Sequence, residues 1–320
     1  MDDFINKGDK ATRLGFGEGI AEAGGLYPNL VVLGADITSS VGLNLFAERY
    51  PERFFSFGIA EQNIAAVAAG LALTNKIPVF STYGVFAAFR AADQIRISIC
   101  YNNVKVIIGG AHAGISVGPD GATHQALEDI AVIRSLPNIT LISPADANQA
   151  KAATLAAIRQ VEGPVYIRFG REPVPNFTES NQVFEVGKGQ VLKAGTDVAI
   201  VATGHMVWEA LEASKHLAKQ GVNAMVVNIH TIKPIDKRLL VDVAKATKRV
   251  VTVEEHQVHG GLGSAVAEVL SQEYPVPMKI IGMPDCFGES GTPAELLQKY
   301  GLNANSIAQE VFQLLNRFNQ

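Results

Sequence analysis

Residues 54–63 read FFSFGIAEQN, and residues 64–73 continue as IAAVAAGLAL. An aromatic run turns at Gly58 and delivers an acidic residue, Glu61, onto the first turn of an apolar, alanine-rich helix. Strand, turn and helix in so short a span belong to an α/β layer, and a carboxylate at the strand end sits where such sheets bind ligands. The plain alternative gives Glu61 no task beyond complementing the positive end of a helix dipole. What the rest of the chain gathers around it decides between the two.

Outward from this stretch the same alternation repeats. NLVVLGAD (29–36), PVFST (78–82), KVIIGG (105–110), ITLIS (139–143) and VYIRF (165–169) are apolar runs separated by helical stretches. They are continuous and not alternating, as a parallel sheet covered on both faces requires. Residues 170–195, GREPVPNFTESNQVFEVGKGQVLKAG, change character and read as a linker holding a hairpin. A second series comes next: DVAIVAT (197–203), NAMVVNI (223–229), RVVTVEE (249–255) and MKIIGM (278–283), again with helices between. The expected fold is two consecutive α/β domains with mainly parallel sheets, residues 1–170 and 196–320, joined by residues 171–195.

Composition fits this picture. The 320 residues are 48% hydrophobic and 18% charged, with 30 glycines, so two domains can each bury a core. A net charge of -4 without a long basic run lacks the footprint of nucleic-acid binding. Cys100 and Cys286 lie in different halves without metal spacing, which argues for a reducing compartment. The first residues, MDDFINKGDKATR, lack the basic-then-apolar order of a signal peptide, and no apolar run reaches a membrane span, so a cytoplasmic protein is expected.

The strand ends of the first unit carry an unusual density of polar groups: Asp36 and Ser40, Glu61, Tyr83, His112, and GPDGATH with Asp120 and His124. In YGVFAAFRAADQIR, Tyr83, Phe86 and Phe89 recur every third residue, which on a helix places three rings along one arc. They are either ordinary core or a wall for a flat heterocycle. His112 and His124 flank the Gly-rich GISVGPDGA; with Asp120 they suit a polyol or a phosphate, or a structural role. Zinc is disfavoured, because these residues lack a short paired spacing and no cysteine joins them. EEHQVH (254–259) has metal-like spacing, but it closes a strand and runs into GGLG, so it reads as a helix-entry or interface loop. Neither GxGxxG after the first strand nor GxxxxGKS occurs. Arg13, Arg168 and Arg171 are anion clamps or ion-pair residues.

Taken together, ATR at 11–13, GAD-ITSS at 34–40, FGIAEQN at 57–63, the Tyr83/Phe86/Phe89 series, GGAHAGISVGPDGATHQALEDIAVIRSLPN at 109–138 and SPADANQ at 143–149 resemble the transketolase family. The likeness covers nearly the whole chain and corresponds to the carboxy-terminal half of an ordinary transketolase, its pyrimidine-binding domain and its third domain. No GDG of the family's diphosphate-binding domain occurs. The chain therefore resembles the second subunit of a split transketolase.

That resemblance implies roles. Glu61 would hydrogen-bond a nitrogen of the aminopyrimidine ring of thiamine diphosphate, favouring the imino tautomer that removes the thiazolium proton to give the ylide. Burial in an apolar cleft favours a carboxyl group that must share a proton in this way. Tyr83, Phe86 and Phe89 would surround the pyrimidine, with Phe89 where a tyrosine is common, and Asp36 would lie near the thiazolium. Arg13, Ser40, His112 and Arg171 would surround the acceptor's terminal phosphate, with Arg168 three residues from Arg171 as its rival. Asp120 would bind a sugar hydroxyl, and His124 would lie beside the reacting carbon.

The reaction implied is transfer of a two-carbon ketol unit from a phosphorylated or sulfonated ketose to an aldose. An amino-terminal partner subunit would hold the diphosphate and its Mg2+ or Ca2+ within an α2β2 assembly, and the chain alone would lack turnover. Competing readings are the beta subunit of a 2-oxoacid dehydrogenase, a deoxyxylulose-phosphate-synthase-like enzyme, a sugar-binding module, and a non-catalytic assembly or regulatory subunit.

Overall fold

A computed structural model describes residues 4–318. The chain opens with β1 (Asp9–Ala11), α1 (Thr12–Leu26), β2 (Leu30–Gly34), α2 (Asn44–Arg49), β3 (Phe54–Ser56) and α3 (Glu61–Ala72). After β4 (Ile77–Tyr83) come two π-helical turns, Phe86–Arg90 and Ile95–Tyr101, either side of the short α4 (Ala92–Gln94). Next are β5 (Ile107–Ala111), a 3-10 turn at Ile115–Asp120, α5 (Asp129–Ser135), β6 (Thr140–Ile142), α6 (Ala147–Gln160), β7 (Val165–Arg168) and β8 (Pro173–Pro175). The second half holds β9 (Gln190–Lys193), β10 (Val198–Ala202), α7 (Met206–Ala218), β11 (Ala224–Asn228), β12 (Thr231–Lys233) and α8 (Lys237–Thr247). It ends with β13 (Val250–Gln257), α9 (Leu262–Glu273), β14 (Met278–Met283), α10 (Pro293–Lys299) and α11 (Ala304–Phe318).

These elements form two consecutive α/β units on mostly parallel sheets. The first sheet runs β12-β6-β7-β5-β4-β2-β3, parallel except where β12 meets β6. The second runs β14-β13-β10-β11-β9, parallel except for β9. The expected hairpin within residues 170–195 does not form: β8 pairs with β1, and β9 adds to the edge of the second sheet beside β11. Every residue of β2, β5, β7, β10, β11 and β13 is buried, which is why the strands other than β13 read as mainly apolar runs. No described helix is long and apolar enough to cross a membrane.

The two halves share core. One apolar cluster joins Leu33, Ile64 and Phe80 of the first sheet's surroundings to Val201, Val227 and Leu262 of the second. A buried polar network crosses the same boundary. Arg168 Nε lies 2.9 and 3.1 Å from the Asp129 carboxylate oxygens, and its Nη2 donates to the carbonyls of Ala126 and Glu255. Tyr166 donates to the same carboxylate at 3.1 Å.

The EEHQ stretch is the end of buried β13 and not a loop. Glu254 accepts from the backbone N–H of Leu262 and of Gly263 at the start of α9, satisfying donors that the helix cannot pair internally. Glu255 accepts from Ser116 N–H, and His256 Nε2 accepts from Ala131 N–H, both in the other half. The segment is therefore an interface between the halves, with a strand in place of the expected loop.

Two glycines of α1 allow close approach of neighbouring backbone. A Cβ on Gly15 would stand 2.0 Å from the Ala147 carbonyl oxygen, and one on Gly17 would stand 1.9 Å from that of Gly42. Only hydrogen at Gly17 lets the loop after β2 lie against α1, and that approach brings Ser40 to Arg13.

Candidate active site

The first sheet changes direction at β2: the chain leaves it for β3 on one side and then for β4 on the other. Such a switch leaves a crevice beyond the strand ends, the usual ligand position in open α/β sheets. Side chains from the ends of β4 and β5 and the start of α3 converge there, including several singled out in the sequence.

Glu61 is the first residue of α3 and is 2% exposed, although Ile59 beside it is 73% exposed. Its Oε1 lies 3.5 Å from Thr82 Oγ1, at the end of β4. The remaining partner is a residue that carries no signal in the sequence. Arg90 Nη1 bridges both carboxylate oxygens at 3.0 Å, and its guanidinium lies 4.1 Å above the Phe86 ring. A charged residue inside an aromatic series reads as solvated surface, yet Arg90 stands four residues after Phe86, on the same helical face, and its guanidinium covers that ring.

The single helical arc of three rings does not form, because Tyr83 ends β4 and the helix begins after it. Tyr83 stacks on His112 at 4.3 Å and on Phe86 at 5.8 Å, and His124 meets both Tyr83 and Phe86 edge-on at 5.5 Å. The wall is therefore Tyr83, Phe86, His112 and His124. Phe89 is 49% exposed and contacts none of these rings among the described residues.

On the far side of Tyr83 lies a cationic corner. Arg13 donates from Nη1 to the Ser40 carbonyl and from Nε to the Arg171 carbonyl, so one guanidinium gathers two loops. Ser40 Oγ lies 3.3 Å from His112 Nε2, and Arg171 Nη1 donates to Asp120 at 2.9 Å. His124 Nδ1 lies 2.9 Å from Thr123 Oγ1. Asp36 is exposed just past β2, with a left-handed backbone at φ 63°, outside these contacts. The two rival arginines separate: Arg168 is 5% exposed and committed to Asp129, whereas Arg171 faces the crevice beside Asp120.

His112 is 1% exposed, has φ 53°, and leaves its Nδ1 buried without a partner among the described residues. Burial holds its pKa down to about 4, and the guanidinium groups of Arg13 and Arg171 push the same way. It is therefore neutral at pH 7 and offers one N–H and one lone pair. His230, packed on Phe184 at 4.1 Å, is likewise lowered to about 4 by burial. Both groups bind a proton more readily unfolded than folded, so the unfolded state gains protons as pH falls from about 6.5 towards 4. Their stability contribution is complete above about 6.5 and is lost through that window, by up to roughly 3 kcal/mol each. Thermal unfolding followed from pH 7 to 4.5 should show a falling Tm that His230→Asn flattens; a Tm independent of pH across this range would refute the assignment.

Two tandem α/β units, with an acid, a ring wall and a cationic corner at one switch point, define the class of protein. Comparison with known families narrows it. Residues 9–176 match the family described as transketolase, pyrimidine binding domain, and residues 187–307 match transketolase, C-terminal domain. A protein of Methanocaldococcus jannaschii described as a transketolase C-terminal section is 44% identical over 96% of this chain and 97% of its own length. A 6-deoxy-6-sulfo-D-fructose transketolase subunit of Clostridium sp. is 40% identical over 91% of this chain and 90% of its own. A solved structure described as a split gene transketolase, inactive β4 tetramer, superposes with a TM-score of 0.90 and is 51% identical, covering 96% of this chain and 98% of that one.

The chain belongs to the transketolase family, whose cofactor is thiamine diphosphate. Within that family it carries the pyrimidine-binding and C-terminal domains.

Proposed function

We propose that this chain is the C-terminal subunit of a two-subunit transketolase, moving a two-carbon ketol unit from a phosphorylated or sulfonated ketose to an aldose. One observation carries the reading: a buried carboxylate, Glu61, opens onto a wall of Tyr83 and Phe86 that leads to a corner holding Arg13 and Arg171. The residues fit the pyrimidine end of thiamine diphosphate, because a planar N–C–N cation, the Arg90 guanidinium, already lies on Phe86 with its nitrogen on Glu61. Bound there, the cofactor supplies the carbon centre that accepts and returns the two-carbon unit.

The protein's own groups do the rest. Glu61 Oε holds or releases a proton against a ring nitrogen. Tyr83 and Phe86 orient the flat ring by stacking. Arg13 and Arg171 attract the anionic tail, and neutral His112 with Ser40 adds hydrogen bonds without adding charge. Asp120 receives a sugar hydroxyl, and His124, edge-on to the wall, stabilises charge on the reacting oxygen. Asp36 and Phe89 border the crevice.

The reading includes a partner. Phe55, Ile59, Leu73, Phe89, Ile97 and Tyr101 are exposed apolar groups on and around α3 and the π-helical turns. An amino-terminal subunit holding the diphosphate and its Mg2+ would cover this face within an α2β2 assembly, placing the cofactor at the junction. The test is to assay the chain alone and with its amino-terminal partner against phospho- and sulfo-ketoses, with an aldose acceptor. Turnover by the complex alone is expected; full activity of the isolated chain, or none from the complex with any ketose, would reject the proposal.

A further inference from the structure

The Arg90–Glu61 contact has no place in the proposed reaction, and its geometry conflicts with it. Arginine stays protonated at any working pH, and its guanidinium nitrogen, 3.0 Å from both carboxylate oxygens, fills the acceptor face of Glu61. A carboxyl group that shares a proton with a ring nitrogen needs that face free. The guanidinium also lies 4.1 Å above Phe86, occupying the stacking position as well. Arg90 thus satisfies both demands of an aminopyrimidine: a planar nitrogen donor on the buried acid and a flat face on the aromatic wall.

We infer that Arg90 is an internal stand-in for the cofactor's pyrimidine, closing the Glu61 pocket until it is displaced. The inference rests on the proposed cofactor site. Three features make displacement physically accessible. The Arg90 side chain is 45% exposed, so it can swing into water. Its turn is π-helical, a locally widened geometry that recurs at functional sites. Phe89, its neighbour in the chain, belongs to the exposed apolar face assigned to the partner, so covering that face and moving Arg90 involve the same turn.

The purpose of such a stand-in comes from burial. Without Arg90, an empty pocket would leave the 2%-exposed Glu61 charge with Thr82 as its neighbour, at 3.5 Å. With it, the isolated chain keeps the acid paired and gives up affinity for the ring. Only a ring offered together with further binding energy then competes. The apparent affinity is reduced by the fraction of chains in which Arg90 is out.

The test uses the isolated full chain and thiamine, which has the aminopyrimidine but lacks the diphosphate that the partner would hold. Calorimetric titration should show Arg90→Gln binding thiamine about tenfold more tightly than the wild type, with Arg90→Lys in between, since lysine keeps the charge but not the flat fork. Adding Glu61→Gln to Arg90→Gln should abolish the gain, which separates competition for the acid from a general loosening of the fold. Equal or weaker binding by Arg90→Gln, while the two-subunit complex binds thiamine diphosphate, would overturn the inference and leave the function standing. Absence of thiamine diphosphate binding by the complex would overturn both.

Discussion

In the proposed two-subunit enzyme, Glu61→Gln should lower turnover by about a thousandfold, the scale on which a positioned proton-transfer group contributes. Glutamine matches the acid in volume and can still hydrogen-bond Thr82, so the fold has no steric reason to change. What it cannot do is carry the proton at the position Arg90 now bridges. The same loss should appear in exchange of the cofactor's acidic carbon-bound proton, measured by NMR in the complex without substrate. Sedimentation of the variant complex should remain that of the wild type. Exchange at near wild-type rate would remove Glu61 from the mechanism, whatever happened to turnover.

The second large effect concerns the arginine that is not in the site. Asp129→Asn should destabilise the chain by about 3 to 5 kcal/mol, because it leaves Arg168 as a buried cation without its counter-charge. Arg168 keeps its hydrogen bonds to the Ala126 and Glu255 carbonyls, but at 5% exposure these dipoles do not replace a carboxylate. A fall in Tm of roughly 5 to 7 °C is the expected reading for a chain of this size. Arg171→Gln should cost less than about 1 kcal/mol, since the Arg171–Asp120 pair is partly exposed, and on the proposed function should instead raise KM for an anionic ketose. Equal Tm losses in the two variants would mean that the structural and substrate roles have been divided wrongly.

Much of the fold and the site is legible in the chain because the signals are local. The continuous apolar runs imply parallel strands, and FFSFGIAEQN places its acid at a helix start, where Glu61 stands. Four matters are not legible. Tyr83 reads as the first ring of a helix because period-three spacing continues through the strand end, and nothing in the spacing marks where β4 stops. Arg90 shares the helical face of Phe86 by its i,i+4 spacing, but a charged residue there reads as solvated, and nothing local shows that it reaches Glu61, twenty-nine residues earlier. Choosing between Arg168 and Arg171 needs the position of Asp129, some forty residues away and buried by packing that no short window reveals. The EEHQ segment misleads for a similar reason: four polar residues in a row suggest a loop until partners from the other half are supplied.

One further feature bears on how this protein can be cut and rejoined. β12 lies beyond residue 230 yet pairs antiparallel with β6, and so completes the first sheet from within the second half of the chain. A chimera that grafts a foreign C-terminal half after residue 195 would strip that strand away and leave β6 with open backbone donors and acceptors, a template for edge-to-edge aggregation. The halves are therefore not interchangeable cassettes. A workable recombination point would have to carry residues 231–233 along with the first sheet, which makes modularity here a matter of strand ownership and not of domain order.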